Sequence, residues 1–327
     1  MRRNTQLELD KKDRELLYLL DINGRMSFSQ LAKKTKMSKQ VVKYRIERLE
    51  NEKYIKGYFT MIDTSKLGLI TFRAYIKFRN LSPEKKKNII EYLKKQENIW
   101  AVVLISGKWD IALGISVKDI YNFYDIWDKI LEKYLNLIDN YQISIYSPIY
   151  HYSKSYIIEK EDNSEIRILG GEEKSEFDEI DTKILTLLSK NARIHLIDIS
   201  SKIKMTPESI KYRIKQLEKK GIIQGYRAMI DVNKLGYQFY KAEIRLSSYN
   251  NIEKIYSFCH KHPNIYQVDK TIGGETLEIE FHVKSLQDMI KIIEELEKAF
   301  PKIIEKYDYI TVLSEEKTTY MAEVAVM

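Results

Sequence analysis

The chain has 327 residues, 31% of them charged and 44% hydrophobic, with a formal net charge of +8, which fits a globular protein of two or more domains. It contains no run of about 18 uncharged apolar residues and its first residues lack the apolar centre of a signal peptide, so we expect a cytoplasmic protein that does not cross a membrane. Cys259 is the only cysteine, which excludes an internal disulfide framework and a multi-cysteine zinc site, and we expect neither a metal nor a cofactor.

The segment 1–66 predicts three helices and a strand. Leu16 opens an apolar stripe behind an acidic start, and Gly24 interrupts that stripe. Ser27 and Ser38 suit the N-cap positions of a second and a third helix, because a serine hydroxyl accepts a hydrogen bond from an N–H group of the first turn. Two short helices followed by a third are typical of a helix-turn-helix, and the apolar content of Tyr54–Asp63 predicts a wing strand.

The third of these helices has two distinct faces. Val42, Ile46 and Leu49 recur at i, i+4 and i+7, so they share one buried face. At about 100° per residue, Lys43 and Tyr44 point the other way. A helix of this kind fits the major groove of B-form DNA, where its exposed first turns meet base edges and its basic residues neutralise phosphates.

The next part of the chain changes period from helical to extended. Thr71–Phe78 alternates polar with apolar residues, as a strand with one buried face does. A helix over Pro83–Asn98, a hairpin over Ile99–Val117, a helix over Asp119–Leu135 and a last strand over residues 142–150 follow. The order βαββαβ predicts a sheet with helices on one face and the other face available to a partner.

The same features occur a second time. "VVKYRIERLE" (Val41–Glu50) is matched by "SIKYRIKQLE" (Ser209–Glu218), and "GYFTMIDTSKLG" (Gly57–Gly68) by "GYRAMIDVNKLG" (Gly225–Gly236). Both pairs are separated by the same length of chain, which is too long for a solenoid repeat and fits a whole two-domain module in tandem. We therefore predict an α+β fold with two winged helix-turn-helix domains and two ferredoxin-like βαββαβ domains in tandem. The predicted winged helix-turn-helix domains are 1–66 and 176–234, the βαββαβ domains are 67–153 and 235–327, and a charged linker covers 154–175.

The positive charge is concentrated in the two segments that carry the repeated helix. Counting Lys and Arg against Asp and Glu gives about +7 for residues 1–66 and about +5 for residues 177–234. A polyanion is the simplest partner for such segments, and we expect double-stranded DNA. The alternative is a solvated amphipathic helix in a protein-binding module. The candidate DNA-binding residues are Lys39, Gln40, Lys43, Tyr44 and Arg45 in the first helix and Glu208, Ser209, Lys211, Tyr212 and Arg213 in the second.

Several motifs, in order, resemble the Lrp/AsnC (feast/famine) family of transcriptional regulators. They are "LDKKD" (Leu9–Asp13), "GRMSFSQLAKKTKMS", "YRIERLE", "IKGY", "DTSKLG" and the hairpin "SGKWDIAL". The resemblance implies DNA binding, and it implies βαββαβ domains that pair sheet to sheet as dimers. Because both halves lie in one chain, we expect an intramolecular pseudo-dimer, open to higher homo-oligomers, that reads unlike half-sites.

The resemblance also implies a small-molecule effector, often an amino acid, near a hairpin whose residues match Gly107 and Asp110. An aspartate beside backbone donors suits an ammonium group. In the second half we align Leu277 with this aspartate, which puts a second pocket in doubt. The alternative is that Gly107 only makes the turn and Asp110 caps it.

Two other functions keep the same fold. Sirohaem decarboxylases are built from paired halves of this type, and such an enzyme should place His and Arg residues around a tetrapyrrole cavity. The strands that follow the two predicted wings contain no His, and we find no recognisable catalytic or nucleotide-binding motif, so we expect no catalytic residues and no enzyme. A co-regulator that binds only other family members is the third interpretation.

Overall fold

The computed structural model describes residues 9–159, 164–170, 174–319 and 321. Parts of the predicted linker, at 160–163 and 171–173, lie outside the described residues. The helices are α1 (Lys11–Ile22), α2 (Phe28–Thr35), α3 (Lys39–Asn51), α4 (Pro83–Lys94), α5 (Ile120–Tyr134), α6 (Glu179–Lys190), α7 (Leu196–Ile203), α8 (Pro207–Lys219), α9 (Ile252–Lys261) and α10 (Leu286–Ala299). The strands are β1 (Ile55–Ile62), β2 (Ile70–Phe78), β3 (Ile99–Gly107), β4 (Ile111–Val117), β5 (Ile138–His151), β6 (Arg167–Leu169), β7 (Ile223–Ile230), β8 (Gln238–Leu246), β9 (Ile265–Ile272), β10 (Leu277–Val283) and β11 (Ile304–Thr318).

Two three-helix units, α1–α3 and α6–α8, begin with matching capping boxes. The Asp10 side chain accepts from the N–H of Asp13 while the Asp13 side chain accepts from the N–H of Asp10, and Asp178 and Asp181 do the same at α6. Inside the first unit, the apolar stripe of α3 packs against the leucines of α1. The predicted helices and their buried faces are thus present in both units. Among the described residues, each helix is too short or too polar to span a bilayer.

The strand that follows each three-helix unit pairs with its counterpart from the other unit. β1 runs antiparallel to β7 as a separate two-stranded sheet. Tyr58 pairs with Ala228 and Thr60 pairs with Tyr226. In the repeat Tyr226 is the counterpart of Tyr58 and Ala228 that of Thr60, so exchanging the halves turns one pair into the other. The register therefore has approximate two-fold symmetry, and each segment that resembled a wing strand is half of a shared sheet that joins the two units.

The remaining strands close into a ring. Each βαββαβ segment forms a four-stranded sheet, in the order β3-β4-β2-β5 and β9-β10-β8-β11, and β3 joins β11 while β5 joins β9. Because every neighbouring pair is antiparallel, the result is an eight-stranded antiparallel barrel, with β6 added beside β5. Ile145 pairs with Ile272 at one seam and Ser106 with Thr311 at the other. In the repeat, Ile272 is equivalent to Ser106, and Thr311 is equivalent to Ile145. The two seams are therefore formed by equivalent residue pairs, so they are related by the same approximate two-fold symmetry.

The two faces of the barrel strands differ in chemistry. The outward residues of β2, such as Phe72, pack under α4 and α5, where the Phe72 and Phe123 rings stack with centroids 4.1 Å apart. The inward residues include Arg73 and Tyr75 on β2 and Lys241 on β8. The alternating pattern seen in the sequence therefore separates an apolar outer layer from a polar interior.

The segment predicted as a linker is packed against the folded units where the structure describes it. Tyr156 and Ile157 are buried in the core of the first three-helix unit. Asp21 on α1 accepts hydrogen bonds from the Lys154 ammonium at 3.0 Å and from Arg227 on β7 at 2.9 Å. Burial opposes the charge, but Arg227 and Lys154 hold the pKa of Asp21 well below its usual value. This buried ion cluster ties together both three-helix units and the connection between the halves.

Candidate nucleic-acid interface

The candidate recognition helices α3 and α8 begin with equivalent caps, of which the sequence predicts the one at Ser38. The Ser38 hydroxyl accepts from the N–H of Val41 at 3.2 Å, and the Thr206 hydroxyl accepts from the N–H of Ser209 at 3.2 Å. Pro207 occupies the first helical position of α8, where it has no intrahelical N–H bond to lose. Both helices are therefore fixed at the end that would enter a DNA groove.

The outward faces of the two helices are open to solvent. Tyr44 and Tyr212 occupy equivalent positions and keep 64% and 65% of their surfaces accessible. Lys39, Gln40 and Lys43 are also exposed on α3, as are Glu208 and Lys211 on α8, while Ser209 is partly covered. Exposed aromatic rings flanked by lysines suit contact with bases and phosphates.

The two predicted arginines lie differently. Arg45 bonds Asp10 at 2.7 Å and Asp13 at 2.8 Å, and it is partly buried. The hydrogen bond to Asp10 is the main cause that raises the pKa of Arg45. Arg213 repeats the arrangement with the capping carboxylates Asp178 and Asp181 of α6. Each guanidinium forms ion pairs with two carboxylates. These ion pairs fix the candidate recognition helix against the first helix of its unit.

Reciprocal hydrogen bonds hold the two units together beside the β1–β7 sheet. Arg25 donates to the carbonyl of Ala192 at 2.8 Å, and Arg193 donates to the carbonyl of Met26 at 3.0 Å. Arg193 is the counterpart of Arg25 in the repeat. Both recognition helices thus belong to one braced pair of units, a geometry suited to two half-sites on one duplex.

In the hairpin where the family resemblance implies an effector site, the Asp110 carboxylate already has hydrogen-bond partners within the protein. Asp110 accepts from the backbone N–H of Phe78 at 2.9 Å and from the Lys77 ammonium at 3.1 Å. Gly107 has φ +120°, and a Cβ there would lie 2.9 Å from the carbonyl oxygen of Tyr309. The glycine is therefore required by a close approach of β11.

The alignment of Leu277 with Asp110 is wrong. The N–H of Leu246, equivalent to that of Phe78, bonds the Thr276 hydroxyl at 3.1 Å, so Thr276 takes the place of Asp110. The reason is the length of one connection, because the segment 247–264 that joins β8 to β9 is shorter than the segment 79–98 that joins β2 to β3. The spacing between equivalent residues therefore shrinks after this point. The second half keeps the backbone bond with a neutral side chain.

A cavity of about 680 Å³ lies between the barrel interior and the β1–β7 sheet. Arg73 and His151 line it, and Arg73 Nε and His151 Nδ1 are buried atoms without a hydrogen-bond partner among the described residues. Burial, with Arg227 and Lys154 nearby, holds the pKa of His151 well below its usual value, so the ring is neutral. These cavity residues are absent from our sequence-based candidates. The alternation of β2 contained a signal for Arg73, since it places that residue opposite the apolar face.

Two families of DNA-binding domains match the chain. AsnC-type helix-turn-helix domains match residues 9–50, and winged helix-turn-helix DNA-binding domains match residues 177–224. An uncharacterized HTH-type transcriptional regulator of Pyrococcus furiosus is 35% identical over 129 residues, which are 38% of this chain and 83% of that protein. The HTH-type transcriptional regulator LrpB of Bacillus subtilis is 45% identical over 64 residues, 20% of this chain and 43% of that protein.

A solved structure aligns with almost the whole chain. The siroheme decarboxylase NirDL covers 95% of this chain and 94% of its own, with a TM-score of 0.63 and 11% sequence identity. At this identity the match shows a shared arrangement of domains and does not address chemistry. An arrangement with two three-helix units and two βαββαβ segments in one chain therefore has a structural precedent.

Proposed function

We propose that this chain, which belongs to the Lrp/AsnC family of helix-turn-helix transcriptional regulators, is a sequence-specific DNA-binding regulator that acts as an intramolecular pseudo-dimer. The observation that carries the proposal is the pair of exposed helix faces around Tyr44 and Tyr212, on units joined through a symmetric strand pair. A duplex that carries two inverted half-sites has a matching approximate symmetry.

The same proposal includes a tandem duplication with the domain boundaries predicted from the sequence. The exchange of equivalent residue pairs in the β1–β7 sheet supports it, as does the equivalent exchange at the two barrel seams. A covalent pair of modules then takes the place of two identical chains. The protein works in the compartment that holds the DNA, which we take to be the cytoplasm.

The two recognition helices read different half-sites. Their outward faces share a lysine and a tyrosine, while Lys39 and Gln40 of α3 correspond to Pro207 and Glu208 of α8. Glutamine pairs well with adenine, whereas glutamate accepts from cytosine and repels phosphate. Selection of bound duplexes from a random pool should return two unlike halves. Recovery of a perfect palindrome would contradict this part of the proposal.

Phosphate contact by the lysines is tested by paired charge removal. Lys43→Gln with Lys211→Gln should lower the salt-dependence slope of DNA affinity by about 2, because each lost phosphate contact removes close to one released counterion. The matched control is Lys85→Gln with Lys87→Gln on α4, which removes the same charge from exposed positions away from the recognition helices. Equal slopes for both double variants would refute the assignment.

The structure also supports a second candidate, a tetrapyrrole enzyme of the siroheme decarboxylase type. A cavity with His151 and Arg73 in its wall favours it, in a fold that is shared with such an enzyme, although the strands after β1 and β7 contain no His. Addition of haem should then give a saturable absorption band. A protein that gives this band and forms no DNA complex would be the enzyme, and one that gives neither would be the co-regulator.

A further inference from the structure

The cavity between the barrel interior and the β1–β7 sheet contains a guanidinium, that of Arg73, which no described carboxylate contacts directly. Burial opposes its charge, but the nearby Tyr146, Tyr75, Glu278 and Asp269 raise the pKa of Arg73. The side chain of Arg73 lines the cavity with its carbon Cζ 4.7 Å from the centre of the Tyr146 ring. Among the described residues, Arg73 forms no ion pair and no hydrogen bond through its side chain. Buried arginines are normally paired, because an unsatisfied buried donor loses the hydrogen bonds that water would give it.

Lys241, another buried cation that lines the cavity, does have direct carboxylate partners. Its ammonium contacts Asp269 at 2.9 Å and Glu280 at 3.0 Å, and Glu278 approaches closely as well. Tyr75 and Tyr146 donate to Glu278. The protein therefore supplies Lys241 with partners from several strands, whereas the donors of Arg73 remain free for a group that enters the cavity.

The Trp100 indole forms an aromatic part of the cavity wall near Arg73. In the β2–β4 pair Arg73 is opposite Gly114, and the Trp100 indole occupies the space above that glycine, only 2.6 Å from where a Cβ would lie. The indole lines the cavity, and no described residue accepts a hydrogen bond from its N–H. Val103 and Val312 continue the wall with apolar surface.

From this geometry we infer that the cavity binds an organic carboxylate with a flat, apolar body. Its carboxylate takes the two-pronged hydrogen bond of Arg73, and its body lies against Trp100. The site is separate from the hairpin at Gly107 and Asp110 and does not depend on DNA binding. Because the cavity wall also includes Phe59 on β1 and Arg227 on β7, the ligand would contact the sheet that joins the two DNA-binding units.

The test compares indole-3-acetate with indole-3-acetamide on the full chain by calorimetry. The acid should bind about tenfold more tightly than the amide, since a hydrogen bond to a charged acceptor is worth more than one to a neutral acceptor. Arg73→Gln should remove this preference. The control Arg79→Gln, an exposed arginine just after the same strand, should keep it. Trp100→Ala should weaken the binding of both compounds, because it removes the surface against which the flat body lies.

Other outcomes overturn the inference. They are equal affinity for acid and amide, tighter binding of tryptamine than of the acid, and no saturable binding of any indole compound. Haem binding that survives Arg73→Gln, with no binding of the acid, would assign the cavity to a tetrapyrrole instead. If Arg73→Gln fails to fold, the comparison of acid with amide on the unaltered chain still decides the matter. DNA binding is measured separately, so its loss or presence does not change this result.

Discussion

Glu280 offers a stability test of the polar barrel interior. It points inward from β10 and is buried beside the Lys241 ammonium of β8, with Asp269 of β9 and Arg73 of β2 also facing it. Burial raises the pKa of Glu280 to about 7; Lys241 opposes this effect and Asp269 adds to it. Ionisation of the Glu280 carboxylate at neutral pH therefore lowers the stability of the folded chain.

The sign and size of the effect follow from proton linkage. The pKa of Glu280 is 4.5 before folding and about 7 afterwards, so between these values the folded chain binds more protons than the unfolded chain. The free energy of unfolding therefore falls as pH rises from 4.5 to about 7. At about 1.4 kcal/mol for each pH unit, the loss amounts to about 3 kcal/mol. Glu280→Gln has no such proton and keeps an oxygen for Lys241.

Urea denaturation at pH 5, 6, 7 and 8 measures the difference between Glu280→Gln and the unaltered chain. We expect the variant to gain about 3 kcal/mol relative to the unaltered chain between pH 5 and pH 8. Glu297→Gln, an exposed position on α10, is the control and should show no such gain. A difference that stays constant with pH, or that favours the unaltered chain at pH 8, would refute the reasoning.

Three further changes test other contacts. Asp21→Asn should lower the free energy of unfolding by about 3–5 kcal/mol, because it leaves Arg227 and Lys154 buried without a counter-charge; a loss below about 1 kcal/mol in urea denaturation would contradict this. Arg45→Gln with Arg213→Gln should lower the melting temperature and weaken DNA binding while the salt slope stays unchanged, since these arginines bind Asp10, Asp13, Asp178 and Asp181; a flatter slope would restore them as phosphate contacts. Asp110→Asn keeps the bond to the N–H of Phe78 but removes the charge. If an amino acid binds at this hairpin, as the family resemblance implies, its affinity in calorimetry should drop about tenfold in this variant; unchanged affinity, or no binding to the unaltered chain, would contradict that site.

The sequence patterns predicted the helices and strands well, because each element depends mainly on residues that are close together in the chain. The repeat of Val42, Ile46 and Leu49 marked the buried face of α3, and the alternation in Thr71–Phe78 marked β2. The predicted helix from Pro83 ends at Lys94, about one turn earlier than expected. Exposure of Tyr44 and Tyr212 also follows from helical spacing, since both lie opposite the apolar stripe.

Pairing between distant strands was beyond those patterns. An alternating strand specifies which residues face the core but not which edge receives which partner, so the β1–β7 sheet and the two barrel seams could not be predicted. The ion pairs of Arg45 and Arg213 could not be predicted either, because the carboxylates that they contact lie at another helix. Their assignment as DNA-binding residues stays a prediction. The cavity was also missed, because its wall combines strands of both halves, such as β3 with Trp100 and β8 with Lys241, which come together only when the ring closes.

The barrel seams have a consequence for how occupancy of a binding site depends on protein abundance. Since β3 meets β11 and β5 meets β9 within one polypeptide, dilution cannot separate the two halves. A regulator that is a dimer of separate chains dissociates into monomers at low concentration. The occupancy of its DNA site then rises more steeply with protein concentration than a simple hyperbola. For the proposed pseudo-dimer, both DNA-binding units would reach a site together at any protein concentration, so site occupancy should follow a simple hyperbola even when the protein is scarce.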